Sequence, residues 1–234
     1  MATIGVYDSG IGGLTTLKIL LEKFGGNDFF YLADNASHPF GTKTEKELEK
    51  VVASGIQKLK NHSDVVVIAC NTASTIHKEN DAIKLLPKMP SASGANADNT
   101  LLLATDFTAK HQKLFNLVAD TNELASLVEV QAAIGCKRGD LNMSATLPYL
   151  AERLFKFKGV ENVVLGCSHY PYLKKEISKI LGDVRFFDGN DALLKSLEKQ
   201  VKKEKKSSEI TFAFTGGNEE KKYRKILQLL QNQN

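Results

Sequence analysis

Two short stretches carry the reactive side chains of this 234-residue sequence. Residues 65–74 read V-V-V-I-A-C-N-T-A-S, and residues 162–171 read N-V-V-L-G-C-S-H-Y-P. Each is an apolar run, a small residue and a cysteine, followed by a polar pair. The pairs are Asn71-Thr72 after Cys70 and Ser168-His169 after Cys167. A lone cysteine is most often a small buried hydrophobe, and Cys136, in A-I-G-C-K-R-G-D, is read that way. Two matched cysteines, each ahead of hydrogen-bonding residues, point to chemistry instead. The spacing predicts a helix start beside each one. Asn71 or Thr72 suits an N-cap, and Pro171 suits a first turn. The partial positive charge of a helix start favours thiolate.

Two thiols facing each other across a small carbon acid, one deprotonated and one protonated, can invert its stereocentre. One removes the proton from one face, and the other returns a proton to the opposite face. The developing enolate needs hydrogen-bond donors aimed at it, and Ser9, Asn71, Thr72 and Ser168 are of that type. Such an enzyme requires no metal and no pyridoxal phosphate. Asp8 could orient or protonate a neighbour, although Asp-Ser after a strand is also an ordinary cap. His169 could serve as acid and base beside Cys167 or bind a carboxylate; taken alone, a satisfied structural histidine is the commoner reading. Cys167 and His169 also suit the nucleophile and base of an acyl transfer, which leaves Cys70 idle. G-I-G-G (10–13) is not a dinucleotide loop, because Thr15 stands where the third glycine belongs. H-P-F-G-T-K (38–43) reads as a turn whose backbone could line a ligand.

Short apolar runs must position these residues. They occur at 3–7, 29–33, 64–69, 100–104, 127–132, 162–166, 184–188 and 210–214, with helix-like segments between them. The helix after Cys70 is expected to end near Leu86. Uninterrupted Val/Ile/Leu strands alternating with helices predict parallel sheets covered on both faces, an α/β architecture. Ligands in such sheets bind beyond the carboxyl ends of the strands. Asp8-Ser9, Asp34-Asn35 and the two cysteine segments all fall there. The Pro-, Ser-, Gly- and Asn-rich stretch 87–99 is the best candidate for a crossing between domains, and 202–209 is a weaker boundary. The shared plan of the two cysteine stretches suggests two similar halves, each contributing one thiol.

Bulk properties exclude other classes. Hydrophobic residues make up 42% and charged residues 25%, with a mild net charge of +4, ordinary for a globular protein. The basic run 201–206 reads as a solvated face, and without an Arg/aromatic stripe a nucleic-acid partner is not expected. No apolar stretch approaches the ~20 residues of a membrane span. The start M-A-T-I-G-V-Y lacks the regions of a signal peptide. Three cysteines without CxxC spacing argue against a disulfide framework or structural zinc. A cytoplasmic location is the expectation.

The sequence resembles the cofactor-independent glutamate racemases of the aspartate/glutamate racemase superfamily. The matching stretches are I-G-V-Y-D-S-G-I-G-G-L-T (4–15), Y-L-A-D (31–34), P-F-G-T-K (39–43), V-I-A-C-N-T-A-S (67–74) and V-L-G-C-S-H-Y-P-Y-L (164–173). Fainter echoes are A-T-D-F-T (104–108), L-V-E (127–129) and F-T-G-G (214–217). The resemblance implies two similar three-layer α/β domains with mainly parallel sheets, related by pseudo-twofold symmetry around a shared active site. The first would comprise 1–90 plus 206–234 and the second 91–205. It implies that Cys70 takes the proton from D-glutamate and Cys167 from L-glutamate. Asp8 would support Cys70, while Glu129 and His169 would support Cys167. Substrate contacts would fall on Asp8, Ser9, Phe40, Gly41, Asn71, Thr72, Thr108, Ser168 and His169. It further implies no cofactor, no metal, a homodimer, and D-glutamate made for peptidoglycan. Aspartate or another amino acid is the alternative substrate; a binding or regulatory relative is the alternative role. DNA gyrase enters as a partner by family analogy only. Phe40 stands where the family usually has Tyr, Ser168 replaces Thr, and the 87–99 segment is shorter than usual.

Overall fold

The computed structural model describes residues 1–89, 94–121 and 123–233. In chain order the elements are β1 (Thr3–Asp8), α1 (Leu14–Phe24), β2 (Asp28–Ala33), α2 (Glu45–Lys60), β3 (Val65–Ile68), α3 (Asn71–Ile76) and β4 (Ile83–Lys84). There follow β5 (Thr100–Ala104), α4 (Asp106–Lys110), β6 (Leu117–Asp120), α5 (Leu124–Arg138), α6 (Leu147–Leu154), β7 (Asn162–Gly166), α7 (Lys174–Leu181), β8 (Arg185–Phe187) and α8 (Asn190–Leu197). The chain then runs through β9 (Ile210–Phe214) and α9 (Glu220–Gln231). Two sheets result, ordered β4-β3-β1-β2-β9 and β6-β5-β7-β8. The strand pairings within both are parallel. The expected α/β fold of two parallel-sheet units is the fold observed.

Parallel strands need apolar cover on both faces, and alternate side chains supply it. Ile4, Val6, Phe29, Tyr31 and Val67 face a core shared with Leu14, Leu17 and Leu20 of α1 and Tyr223 and Ile226 of α9. Tyr7, Leu32, Val66 and Ile68 face the other way, onto Leu48, Val52, Ile56 and Leu59 of α2. The second sheet repeats the plan: Leu101, Leu103, Val163 and Leu165 join the large core, and Leu102, Ala104 and Val164 meet Phe115 on the other side. The large core runs without a break from one sheet to the other. A capping box between Thr44 and Glu47 sets the start of α2.

Two local expectations differ from the structure. Residues 127–132 belong to α5, not to a strand. Their β-branched residues suggest extension, but Leu124, Ala125, Val128, Ala132 and Gly135 fall at helical spacing on the buried face, and Gly139 ends the helix in the left-handed region at φ 85°. The strand of this region is instead β6. The helix after Cys70 stops at Ile76, and the chain then forms the short strand β4. The chain leaves the first sheet after Lys84 and enters the second at Thr100. Within the 87–99 segment expected to carry that crossing, residues 90–93 lie outside the described residues. Strand β9 returns to pair with β2, and α9 packs on α1 and α5.

Candidate active site

The carboxyl ends of the two sheets meet. Ser9 follows β1 and Cys70-Asn71-Thr72 follow β3, while Thr105 follows β5 and Cys167-Ser168-His169 follow β7. These residues, with Phe40 and Gly41 from the loop after β2, line one cavity of about 20 Å³. Both cysteines therefore border the same small space, one from each sheet. A broader surface hollow of about 730 Å³ lies over residues 218–224 and carries no thiol.

Buried polar atoms without a hydrogen-bond partner concentrate here. Asp8 Oδ2, Asn71 Oδ1, Ser168 Oγ and both ring nitrogens of His38 are such atoms; the others among the described residues are Asn162 Oδ1 and Tyr223 Oη. An unpaired buried polar group costs about 1–3 kcal/mol. A cavity that accumulates them is built for a polar ligand.

On the first-sheet side, Cys70 occupies the N-cap position of α3, where Asn71 or Thr72 was expected. Its Sγ lies 3.8 Å from Ser9 Oγ. The helix start does not produce a thiolate here. Burial pushes the Cys70 thiol well up from its ordinary range and the Asp8 carboxylate adds to the push; the N–H of Ala73 and the Ser9 hydroxyl oppose them and lose. The magnitudes explain the outcome: a helix end is worth about 0.3–1 kcal/mol, against several for an ion taken out of water. Asp8 is fully buried at the end of β1. Its Oδ1 accepts the N–H of Gly10 at 2.9 Å. Burial raises its pKa above the usual carboxylate range despite the nearby charge of His169 and the Gly10 N–H. Asp8 is thus a better proton acceptor than a surface carboxylate, and its charge is felt by the Cys70 sulfur.

On the second-sheet side, Cys167 Sγ lies 3.8 Å from His169 Nδ1. His169 Nε2 lies 3.1 Å from Glu129 Oε1. That oxygen also accepts the N–H of Ile11 at 2.7 Å, and Lys222 Nζ is 3.7 Å from Oε2. Burial alone would lower His169, but its contacts with Cys167 and Glu129 outweigh burial and hold it well above the ordinary histidine range. Glu129 shows the converse. Burial would raise it, yet the hydrogen bond and charge of His169 and the Ile11 N–H bring it down to about 2. His169 and Glu129 form a buried ion pair, and the imidazolium keeps an N–H facing the sulfur.

The predicted site residues fall into two layers. Ser9, Phe40, Gly41, Cys70, Asn71, Thr72, Cys167, Ser168 and His169 border the cavity. Asp8, Glu129 and Thr108 stand behind that wall. Thr108 Oγ1 accepts from Thr105 Oγ1 at 3.3 Å, and Thr105 in turn lies 3.2 Å from Thr72 Oγ1. Thr105 links the halves and borders the cavity, and sequence reasoning missed it. Its signal was present: Thr105 is the cap of α4, accepting the N–H of Thr108. His38 was also missed. Burial, then the charge of His169, lowers it to about 4, so it is a neutral imidazole facing an imidazolium. Asp34, also at a strand end, is occupied elsewhere, accepting from Tyr7 Oη and Thr215 Oγ1, each at 2.7 Å.

The glycines of 10–13 have a steric purpose. A Cβ on Gly12 would sit 2.4 Å from Ser168 Oγ and 2.6 Å from His169 Nδ1. Gly12→Ala will wedge the two halves apart, destabilising the fold by about 1–3 kcal/mol, the usual range for overpacking. Urea unfolding followed by circular dichroism checks this; an unchanged midpoint would show that the contact is not tight.

No protein-family model matches the chain. A glutamate racemase of Halothermothrix orenii is 30% identical over an alignment spanning 97% of this chain and 98% of its own length. The chain belongs to the glutamate racemase family. Solved members of the family share its architecture. The glutamate racemase of Thermus thermophilus, in complex with beta-chloro-D-alanine, superposes with a TM-score of 0.78 at 25% identity, covering 98% of this chain and 93% of that one. The Escherichia coli glutamate racemase, in complex with L-glutamate and the activator UDP-MurNAc-ala, gives 0.73 at 25% identity, covering 98% and 94%. Among the described residues, no helix is long and apolar enough to cross a membrane.

Proposed function

We propose that the chain interconverts L- and D-glutamate by proton transfer at the α carbon between Cys70 and Cys167. The carrying observation is that two cysteines from separate sheets border one cavity, each backed by its own acid–base group. In the D-to-L direction, Cys70 gives its proton to Asp8 and removes the α proton; Cys167 then protonates the opposite face, and His169 restores its proton. In the L-to-D direction the roles reverse. The unpartnered Ser168 hydroxyl is available to donate to a substrate carboxylate or to the enolate oxygen as charge develops there, and the unpartnered Asn71 Oδ1 is available to accept from the substrate ammonium.

The cavity of about 20 Å³ holds roughly one water by the usual measure and is far too small for glutamate. Substrate therefore reaches the thiols only when the halves part. The contacts that must give include Tyr172 Oη to Ile11 O at 3.0 Å, Ile11 N to Glu129, Thr72 to Thr105, and Thr16 to Asn190. Closure then removes water, which strengthens every charge interaction at the reacting carbon.

The same reading assigns residues 1–90 with 206–234 to one domain and 91–205 to the other, supported by the return of β9 to the first sheet. It carries the family's homodimer, for which exposed Val130 and Ile134, one turn apart on α5, offer an apolar face, and a cytoplasmic supply of D-glutamate for peptidoglycan. Either enantiomer of glutamate, incubated in deuterated water without added cofactor, will gain α-deuterium as its optical rotation decays. Absence of both changes would sink the assignment.

A further inference from the structure

His38 stands across from the Glu129–His169 pair, with its ring centre 5.5 Å from that of His169. Both of its nitrogens are buried without a hydrogen-bond partner. One ligand atom from each of His38, Glu129 and His169 lies within 4.8 Å of the other two. The chain keeps space between them: a Cβ on Gly10 would sit 2.1 Å from Glu129 Oε1 and 3.4 Å from His38 Nδ1. Two imidazoles and one carboxylate, brought from three segments far apart in sequence, form the donor set of a zinc site with an open fourth position. We propose that His38, Glu129 and His169 constitute an inhibitory zinc-binding site beside the cysteine pair.

The geometry needs one small movement. Tetrahedral zinc with bonds near 2.05 Å holds its ligand atoms roughly 3.3 Å apart. His169 Nε2 and Glu129 Oε1, at 3.1 Å, already meet that spacing. His38, whose ligand atom lies within 4.8 Å of the other two, must swing inward by at most about 1.5 Å to reach that spacing, and no ring hydrogen bond holds it back. The ion takes His169 Nε2 in place of its proton, which leaves to solvent, while Nδ1 stays turned to Cys167. The nitrogen-rich set excludes magnesium and calcium, which prefer oxygen ligands. With zinc bound, His169 is fixed by the metal and its ion pair with Glu129 is gone, so proton return on the Cys167 side stops. That effect on turnover rests on the racemase reading; the binding itself does not.

The test is titration of the full chain with zinc, and with cobalt(II) as its spectroscopic stand-in, against His38→Val. We expect one ion per chain, visible cobalt bands of nitrogen and oxygen ligation, and affinity weakened about tenfold or more by His38→Val, at least the loss seen when a supporting residue of a metal site is removed. Gly10→Ala, which fills the space, gives the same direction; circular dichroism establishes that both variants are folded. Zinc inhibition of racemisation, measured separately, will track occupancy. The proposal is overturned if the wild-type chain binds no ion, if His38→Val binds as tightly as wild type, or if a strong sulfur-to-cobalt charge-transfer band shows that the thiols hold the metal. Because binding is read without turnover, its failure is distinguishable from failure of the reaction assignment.

Discussion

Cys70→Ala and Cys167→Ala will each lower the rate of glutamate inversion by about 10³-fold, within the 10²–10⁴ carried by a positioned acid or base. The two losses will not add, because inversion needs a proton removed on one face and another delivered on the opposite face. A single remaining thiol can still remove a proton and return one to the same face. Each variant therefore keeps slow deuterium exchange into one enantiomer only: L-glutamate when Cys167 remains, D-glutamate when Cys70 remains. Circular dichroism of the substrate follows inversion, and proton NMR in deuterated water follows exchange. Cys136→Ala is the control and will leave both unchanged, since its sulfur lies between α5 and α9 against the Lys222 carbonyl and does not border the cavity. A single-thiol variant that inverts glutamate at more than about a tenth of the wild-type rate would remove the two-base mechanism.

The second large effect is on stability. Glu129→Ala leaves the His169 imidazolium buried without its carboxylate, and breaking a buried pair in this way costs roughly 3–5 kcal/mol. The pH dependence follows from the two shifts. Glu129 is lowered to about 2 in the folded chain, so its contribution is complete above its ordinary value and is lost as pH falls towards 2. His169 is raised, so its contribution is complete below the ordinary histidine range near 6.5 and is lost as pH rises through its folded value. The pair therefore stabilises most between about 4.5 and 6.5, with a decline on either side. Urea midpoints across pH will show this maximum in the wild-type chain and a flatter profile in Glu129→Gln, which keeps the shape and removes the charge. Equal profiles in the two chains would show that the pair is not ionised as described.

Much of this was readable in the chain itself. The apolar runs carry enough β-branched residues to mark most of the strands, and their alternation with helices implies parallel pairing. The cysteines are legible because each ends such a run. The second layer is less so. Glu129 lies inside L-V-E-V-Q-A, whose local composition suggests a strand; only the buried spacing of α5 turns it towards His169. His38 is a single residue in a turn, and nothing near it in sequence hints at an imidazolium 5.5 Å away. The thiolate expected from a helix start failed for Cys70 because the depth of its burial is a property of the closed fold. Local signals reveal which groups are reactive; their protonation depends on what the distant half of the molecule places beside them.

The return of β9 to the outer edge of β2 bears on how the protein emerges from the ribosome. During synthesis the amino-terminal sheet waits, with the backbone groups on the outer edge of β2 unpaired, while the whole intervening half is made. Lys222, which approaches Glu129, arrives only with the following helix. A nascent chain halted before residue 210 would thus display a sticky sheet margin and an acid–base pair short of one counter-charge, the kind of exposed edge that recruits other chains. Vectorial folding makes the last strand the step that turns a precursor prone to self-association into a finished catalyst.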